Sequence, residues 1–146
     1  MGKEANTSVE LRASDRVLPM PDSDSAEYWE GLARGELRLQ RCTACGIAQF
    51  YPRSLCATCG GSVEWFAATG KGTVHTFTVV RTHGAEPFRS LVPFTLAIVE
   101  LEEGPRMMTN LTGIDPDDVR IDLPVELEPV SAGDITLPFF TPRADS

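Results

Sequence analysis

Arg41-Cys42-Thr43-Ala44-Cys45-Gly46 and Leu55-Cys56-Ala57-Thr58-Cys59-Gly60 decide how this chain is read. They spell C-x2-C, a ten-residue spacer and a second C-x2-C, and they use all four cysteines. Two thiolates separated by two residues grip one metal ion from a single tight turn. Two such turns, face to face, supply the four sulfurs that tetrahedral zinc prefers. A glycine follows each pair, Gly46 and then Gly60-Gly61, where the backbone curls round the sulfur and a positive φ is in demand. Two disulfides or a redox pair are the competing readings. Disulfides require an exporting signal, and a thioredoxin-like site requires one C-x-x-C rather than two. The spacing therefore points to Cys42, Cys45, Cys56 and Cys59 as ligands of a structural zinc ion.

A length of 146 residues suits one domain, or one small domain with a zinc-stapled appendage. About two dozen residues around the cysteines bury too little apolar surface to fold alone; metal binding supplies the difference, on the order of 10 kcal/mol. Residues 1–10 hold no apolar core of a secretory signal, and Asn6 stands where a myristoylation signal carries Ser or Thr. The longest near-apolar run, residues 91–99, is far short of the ~20 needed to span a bilayer. The expectation is a cytoplasmic chain without a membrane segment. Net charge is −8 and uneven. Residues 1–40 carry five basic and eight acidic groups, 41–90 five and two, and 91–146 three and eleven. Nucleic-acid binders present a basic face, because phosphate neutralisation supplies most of their affinity. The acidic C-terminal third argues against that class.

Residues 1–23 lack periodicity and are expected to form a flexible or partner-wrapping segment. A short helix is expected from Asp24, with Glu27 three residues on in a capping-box arrangement, ending near Gly35. Tyr28, Trp29, Leu32 and Ala33 form its apolar face. Residues 36–40, 47–51 and 63–68 read as three short strands that feed the two cysteine turns, completing a zinc ribbon over 24–68. Residues 73–81 then form a β-branched strand with two possible inner faces, Val74/Thr76/Thr78/Val80 or His75/Phe77/Val79/Arg81. Residues 94–101 are apolar on both faces, unlike a half-exposed antiparallel strand. Strands are further expected at 106–111 and 123–130, with one helical turn begun by Asp115-Pro116. The fold class is mainly β: a short N-terminal helix and a four-cysteine ribbon, followed over 69–133 by a small Greek-key barrel of the OB type, with 134–146 as a C-terminal tail.

In one order along the chain stand Trp29, the run GELRLQRCTACG (35–46), Tyr51-Pro52-Arg53, CATCGG (56–61), Glu64-Trp65 and GKGTVHTFTVV (70–80). Pro93-Phe94, Ala97-Ile98-Val99-Glu100-Leu101 and Gly104-Pro105-Arg106 continue it. Over residues 24–142 this set resembles the acyl-CoA-associated zinc-ribbon/OB-fold family. The chain departs from that pattern at Ile121-Asp122-Leu123, where the family usually carries glycine. The resemblance implies an accessory subunit. Similar proteins pair with thiolase-fold enzymes, thiolases and retro-aldolases of lipid or steroid degradation, supporting the catalytic subunit and shaping its CoA-side region. It implies a hetero-oligomer, with acyl-CoA as a ligand of the complex.

The residues themselves give reasons to doubt catalysis by this chain alone. A thiolase-type mechanism needs a nucleophilic cysteine, and zinc takes all four. A closed all-sulfur site leaves no open position for water. Only His75 and His83 are candidates for a general base. For docking, Trp29, Phe94, Phe139 and Phe140 are the candidates, with the tail from Ile135 as the expected contact. For CoA phosphates the candidates are Arg81, His83 and Arg89, since guanidinium grips phosphate in a planar fork. The alternative reading is an OB module for single-stranded nucleic acid, using His75, Phe77 and Arg81; salt-dependent binding would mark it. A free-standing hydrolase ranks last.

Overall fold

The computed structural model describes residues 18–144. Most of the expected flexible segment 1–23 thus lies outside the described residues. In chain order the elements are α1 (Ala26–Ala33), β1 (Arg38–Cys42), β2 (Ala48–Gln49), β3 (Val63–Ala67), β4 (Lys71–Val80), α2 (Phe88–Leu91), β5 (Phe94–Leu101), β6 (Arg106–Leu111), a 3-10 turn (Pro116–Asp118), β7 (Pro124–Ala132) and β8 (Ile135–Pro142).

Helix α1 starts by a different device from the expected capping box. Asp22 Oδ1 accepts the amides of Asp24 at 3.1 Å and Ser25 at 2.9 Å, together with the Ser25 hydroxyl at 2.8 Å. Those donors, the Ser25 hydroxyl first, hold the Asp22 carboxyl below its usual range. Glu27 is turned instead toward Arg38 of β1, 2.9 Å away. The helix stops at Gly35, whose φ of 83° lets its amide reach Leu32 O at 2.9 Å while Glu36 N reaches Gly31 O at 2.8 Å.

The ribbon sheet runs β2-β1-β3, antiparallel throughout. Leu37 and Leu39 are buried beneath it, and the Arg41 guanidinium lies 4.2 Å over the Phe66 ring. The second sheet closes as β4-β5-β6-β8-β7, with β7 returning to pair β4. Every pairing is antiparallel except β6 with β8, which meet in parallel at Leu111 and Phe140. This is the Greek-key closure of an OB barrel.

Three expectations change. Segment 134–146 is not a tail: 135–142 form β8, paired with β7 along eight residues from Ala132↔Ile135 to Val125↔Pro142. The prolines that weaken a strand reading face each other, Pro129 opposite Pro138. Neither has an N–H to offer, so the mismatch falls on one rung rather than two. The inner face of β4 is neither of the two alternating sets, because the register shifts between Val74 and Thr76. Val74 is fully buried, His75 is exposed, and Phe77 beyond the bulge turns back to the core. Helix α2, in the loop after β4, was not expected.

The core is continuous. Tyr28, Trp29 and Leu32 of α1, Leu37 and Leu39 ahead of and on β1, and the barrel interior around Val74, Val99 and Phe140 belong to one cluster.

Candidate metal centre and exposed faces

Each C-x2-C sits in a knuckle, and the two are built alike. Gly46 N donates to Cys42 O at 3.0 Å, and Gly60 N to Cys56 O at 2.9 Å. Both glycines hold the left-handed φ that the sequence predicted, 76° and 78°. The first cysteine of each pair is buried, the second exposed. Amides of Ala44 and Cys45 donate to Cys42 Sγ at 3.3 Å, and Thr58 N donates to Cys56 Sγ at 3.3 Å. The Cys45 amide, then that of Ala44, pulls the Cys42 thiol down to about 6; the Cys59 and Thr58 amides lower Cys56 likewise.

The donor set fits zinc. All four Sγ atoms lie within 4.8 Å of one another. Cys42 and Cys59 stand 3.5 Å apart, Cys45 and Cys56 3.7 Å. A tetrahedral ion with Zn–S bonds of about 2.3 Å requires S···S separations of roughly 3.8 Å. Cys42, Cys45, Cys56 and Cys59 would hold the ion, which supplies a structural cross-link between the knuckles.

An amide pair that the sequence reading passed over flanks this centre. Gln40 of β1 is buried. Its Nε2 donates to Arg53 O at 2.8 Å, and its Oε1 accepts from Arg53 N at 2.9 Å and from Gln49 Nε2 at 2.8 Å. Gln49 Nε2 also reaches Leu55 O at 3.3 Å, and Gln49 Oε1 accepts from Ala57 N at 2.9 Å. The available signal was a glutamine close before the first knuckle and another between the two.

The docking candidates separate into core and rim. Trp29 is 8% exposed, Phe139 6% and Phe140 0%. Trp29 Nε1 donates to Tyr51 OH at 3.2 Å, tying α1 to the ribbon. All three belong to the core cluster, and Trp29 and Phe139 also line an aromatic groove beside Tyr51. Phe94 is half-buried, its ring 6.0 Å from Phe88.

The apolar surface lies elsewhere. Strand β5 buries Thr95, Ala97, Val99 and Leu101 and leaves Leu96 and Ile98 half-exposed on its outer face. Cross-strand partners share a face, so Thr76, opposite Ile98, and Thr78, opposite Leu96, join them from β4. Met108 of β6, opposite Ile98, joins from the other side at 66% exposure. A hollow of about 240 Å³ runs along this face. A second, aromatic groove of about 410 Å³ opens where α1, the ribbon and the barrel meet, walled by Trp29, Tyr51, Phe88, Met107 and Pro138 among others.

The CoA candidates share the segment between β4 and β5, and the arginines already have partners. Arg81 meets Asp117 at 3.3 Å and Arg89 meets Glu86 at 3.1 Å, all exposed. His83 Nδ1 lies 3.1 Å from Ala85 O, with its ring 5.2 Å from Phe88. Of the nucleic-acid candidates, His75 is exposed at the bulge, while Phe77 packs toward the core.

Two family models meet end to end on this chain: "ChsH2, rubredoxin-like zinc ribbon domain" over residues 29–64, and "ChsH2, C-terminal OB-fold domain" over 65–129. The chain belongs to the ChsH2 family. A probable enoyl-CoA hydratase alpha subunit of Thermomonospora curvata is 38% identical over 130 residues, 87% of this chain and 40% of that relative. The chain thus spans two-fifths of that relative's length. A DUF35 domain-containing scaffold protein of Methanothermobacter thermautotrophicus is 36% identical over 108 residues, 72% of this chain and 80% of its own. A solved chain titled "Ltp2-ChsH2(DUF35) aldolase" superposes with a TM-score of 0.75 at 35% identity, covering 86% of this chain and 98% of that one. Among the described residues no helix is long and apolar enough to cross a membrane.

Proposed function

We propose that this chain is a non-catalytic accessory subunit that docks on a thiolase-fold enzyme acting on acyl-CoA thioesters. The observation that carries the reading is its likeness, nearly end to end, to the ChsH2 chain of a structure titled an aldolase. The scaffold and hydratase-subunit names of its relatives support the coarser part of this reading, a partner subunit in an acyl-CoA-processing complex. The chain's own chemistry agrees with a platform: its four thiols converge on one metal position, and such a closed sulfur site offers no place for substrate. The outer face of β4, β5 and β6, with Leu96, Ile98 and Met108 on it, is the surface we assign to the partner. The apolar part of this face, bordered at one end by the exposed Glu100–Arg106 ion pair, is better covered than solvated.

Acyl-CoA is then a ligand of the complex, with Arg81 and Arg89 exchanging their carboxylate partners for CoA phosphates. Neutralising both should weaken the complex's apparent affinity for acyl-CoA; an unchanged value would remove them from the site. For the function itself, the test is co-expression of the full chain with the thiolase-fold proteins of its native host. One of them should co-elute in fixed stoichiometry and lose activity without this chain. Elution of this chain alone, with every candidate enzyme fully active in its absence, would sink the proposal.

A further inference from the structure

The second knuckle reaches its position by an unusual route. Between β2 and Cys56 the chain runs from Phe50 to Leu55 without a ladder. Among the described residues, the main-chain hydrogen bonds of this stretch go to two side chains. Gln40 takes both polar groups of Arg53, and Gln49 takes Leu55 O and, one residue beyond Cys56, Ala57 N. The two amides are themselves joined, Gln49 Nε2 to Gln40 Oε1 at 2.8 Å. Gln40 also stands two residues before Cys42 on β1, the strand that delivers the first knuckle. One connected pair of amides therefore links the strand bearing the first metal ligands to alternate residues of the segment bearing the second.

We infer that Gln40 and Gln49 act as a single relay that sets the second cysteine knuckle in place for the metal, and so govern how tightly the chain retains zinc. Both are positioning residues, since neither touches a sulfur. The physical argument is preorganisation. Metal affinity in a small ribbon includes the free energy of ordering its ligands, and a segment ordered beforehand leaves more of the binding energy for affinity. Outer partners of this kind typically change metal affinity by 10–100-fold when removed. Leucine matches glutamine closely in size and makes no hydrogen bond, so Gln→Leu removes the relay with little loss of packing.

The experiment compares the parent with Gln40→Leu, Gln49→Leu and the double variant, each as the full chain. Zinc is competed away with a chromophoric chelator. Each single variant should hold zinc about 10–100-fold more weakly. The double variant should lose little more than either single one, because either change alone breaks the relay. At saturating cobalt all four proteins should give the same tetrahedral tetrathiolate spectrum, since the ligands themselves are intact. Without metal, amide exchange over residues 53–57 should quicken in the variants, while the barrel strands exchange as in the parent. Gln49 is only half-buried, so Gln49→Leu alone carries the test if Gln40→Leu fails to fold. Zinc affinity within about twofold of the parent in Gln49→Leu would overturn the inference. So would losses in the two single variants that add in full in the double, since independent residues are not a relay.

Discussion

Asp122 holds a φ of 66°, the one left-handed value outside glycine among the described residues. It falls in the stretch where the chain departs from the family pattern by lacking a glycine. The turn is fixed from both sides: Asp122 N donates to Val74 O at 2.8 Å, and Val74 N to Leu123 O at 3.0 Å. The backbone therefore holds a left-handed residue here without a glycine, at a cost of roughly 1 kcal/mol. Asp122→Gly should raise the melting temperature by about 2–4 °C, and Asp122→Val should lower it, because a β-branched residue resists this φ more strongly. A glycine variant that melts no higher than the parent would mean the aspartate side chain earns its place otherwise. Tyr28 makes a second prediction at this scale. Its ring is 1% exposed, and burial first, then the neighbouring Tyr51, pushes its phenol well above the usual 10.0. A group raised on folding stabilises fully below its unfolded pKa and loses that contribution as pH climbs toward the folded one. Stability should thus fall above about pH 10, and Tyr28→Phe should flatten the fall; denaturant melts at about pH 9 and about pH 11 measure both.

At the scale of elements, the sequence was most legible where a local rule binds neighbouring residues. The C-x2-C-G turns specify their own geometry, and β5 and β6 end where a turn or a proline ends them. Three features depended on distant partners and were hidden. The bulge at His75 is a matter of register against β5, not of anything in residues 73–81. The start of α1 was misplaced by one residue, Ser25 rather than Asp24 holding the N-cap position, because the Asp22 side chain organises the turn that precedes it. Strand β8 was hidden by Pro138 and Pro142, which read as breakers until β7 sets Pro129 opposite Pro138. Its role is testable. Phe140 pairs with Leu127 on one side and Leu111 on the other, closing the barrel. Phe140→Ala should cost about 3–5 kcal/mol and loosen amide protection in β6 and β7 together. A loss below about 1 kcal/mol would mean that β8 is peripheral after all. For the same reason, removing 134–146 probes barrel closure rather than docking.

For the whole molecule, three of the four residues singled out for docking also join the parts. Trp29, Phe139 and Phe140 are large and aromatic, and in a small barrel they are drawn into the core that α1, β1 and the barrel share. The surface proposed for the partner is plainer, legible in the sequence as the second apolar face of residues 94–101 though not as particular side chains. Met108 is its most exposed apolar member, reaching out opposite Ile98 with no core role to lose. Met108→Asp should therefore leave the melting temperature within a degree or two of the parent, since the new carboxylate sits in water in the free chain. In the complex that carboxylate would be desolvated without a partner, so affinity for the catalytic subunit should fall at least tenfold, about 1.4 kcal/mol or more. Ser131→Asp adds the same charge at an exposed position on β7 and separates this effect from the added charge of an already acidic chain. Titration of the labelled chain against the purified partner reads both affinities. Equal losses in the two variants would make the effect one of net charge, and no loss in either would move the contact from this face to the aromatic groove beside Tyr51.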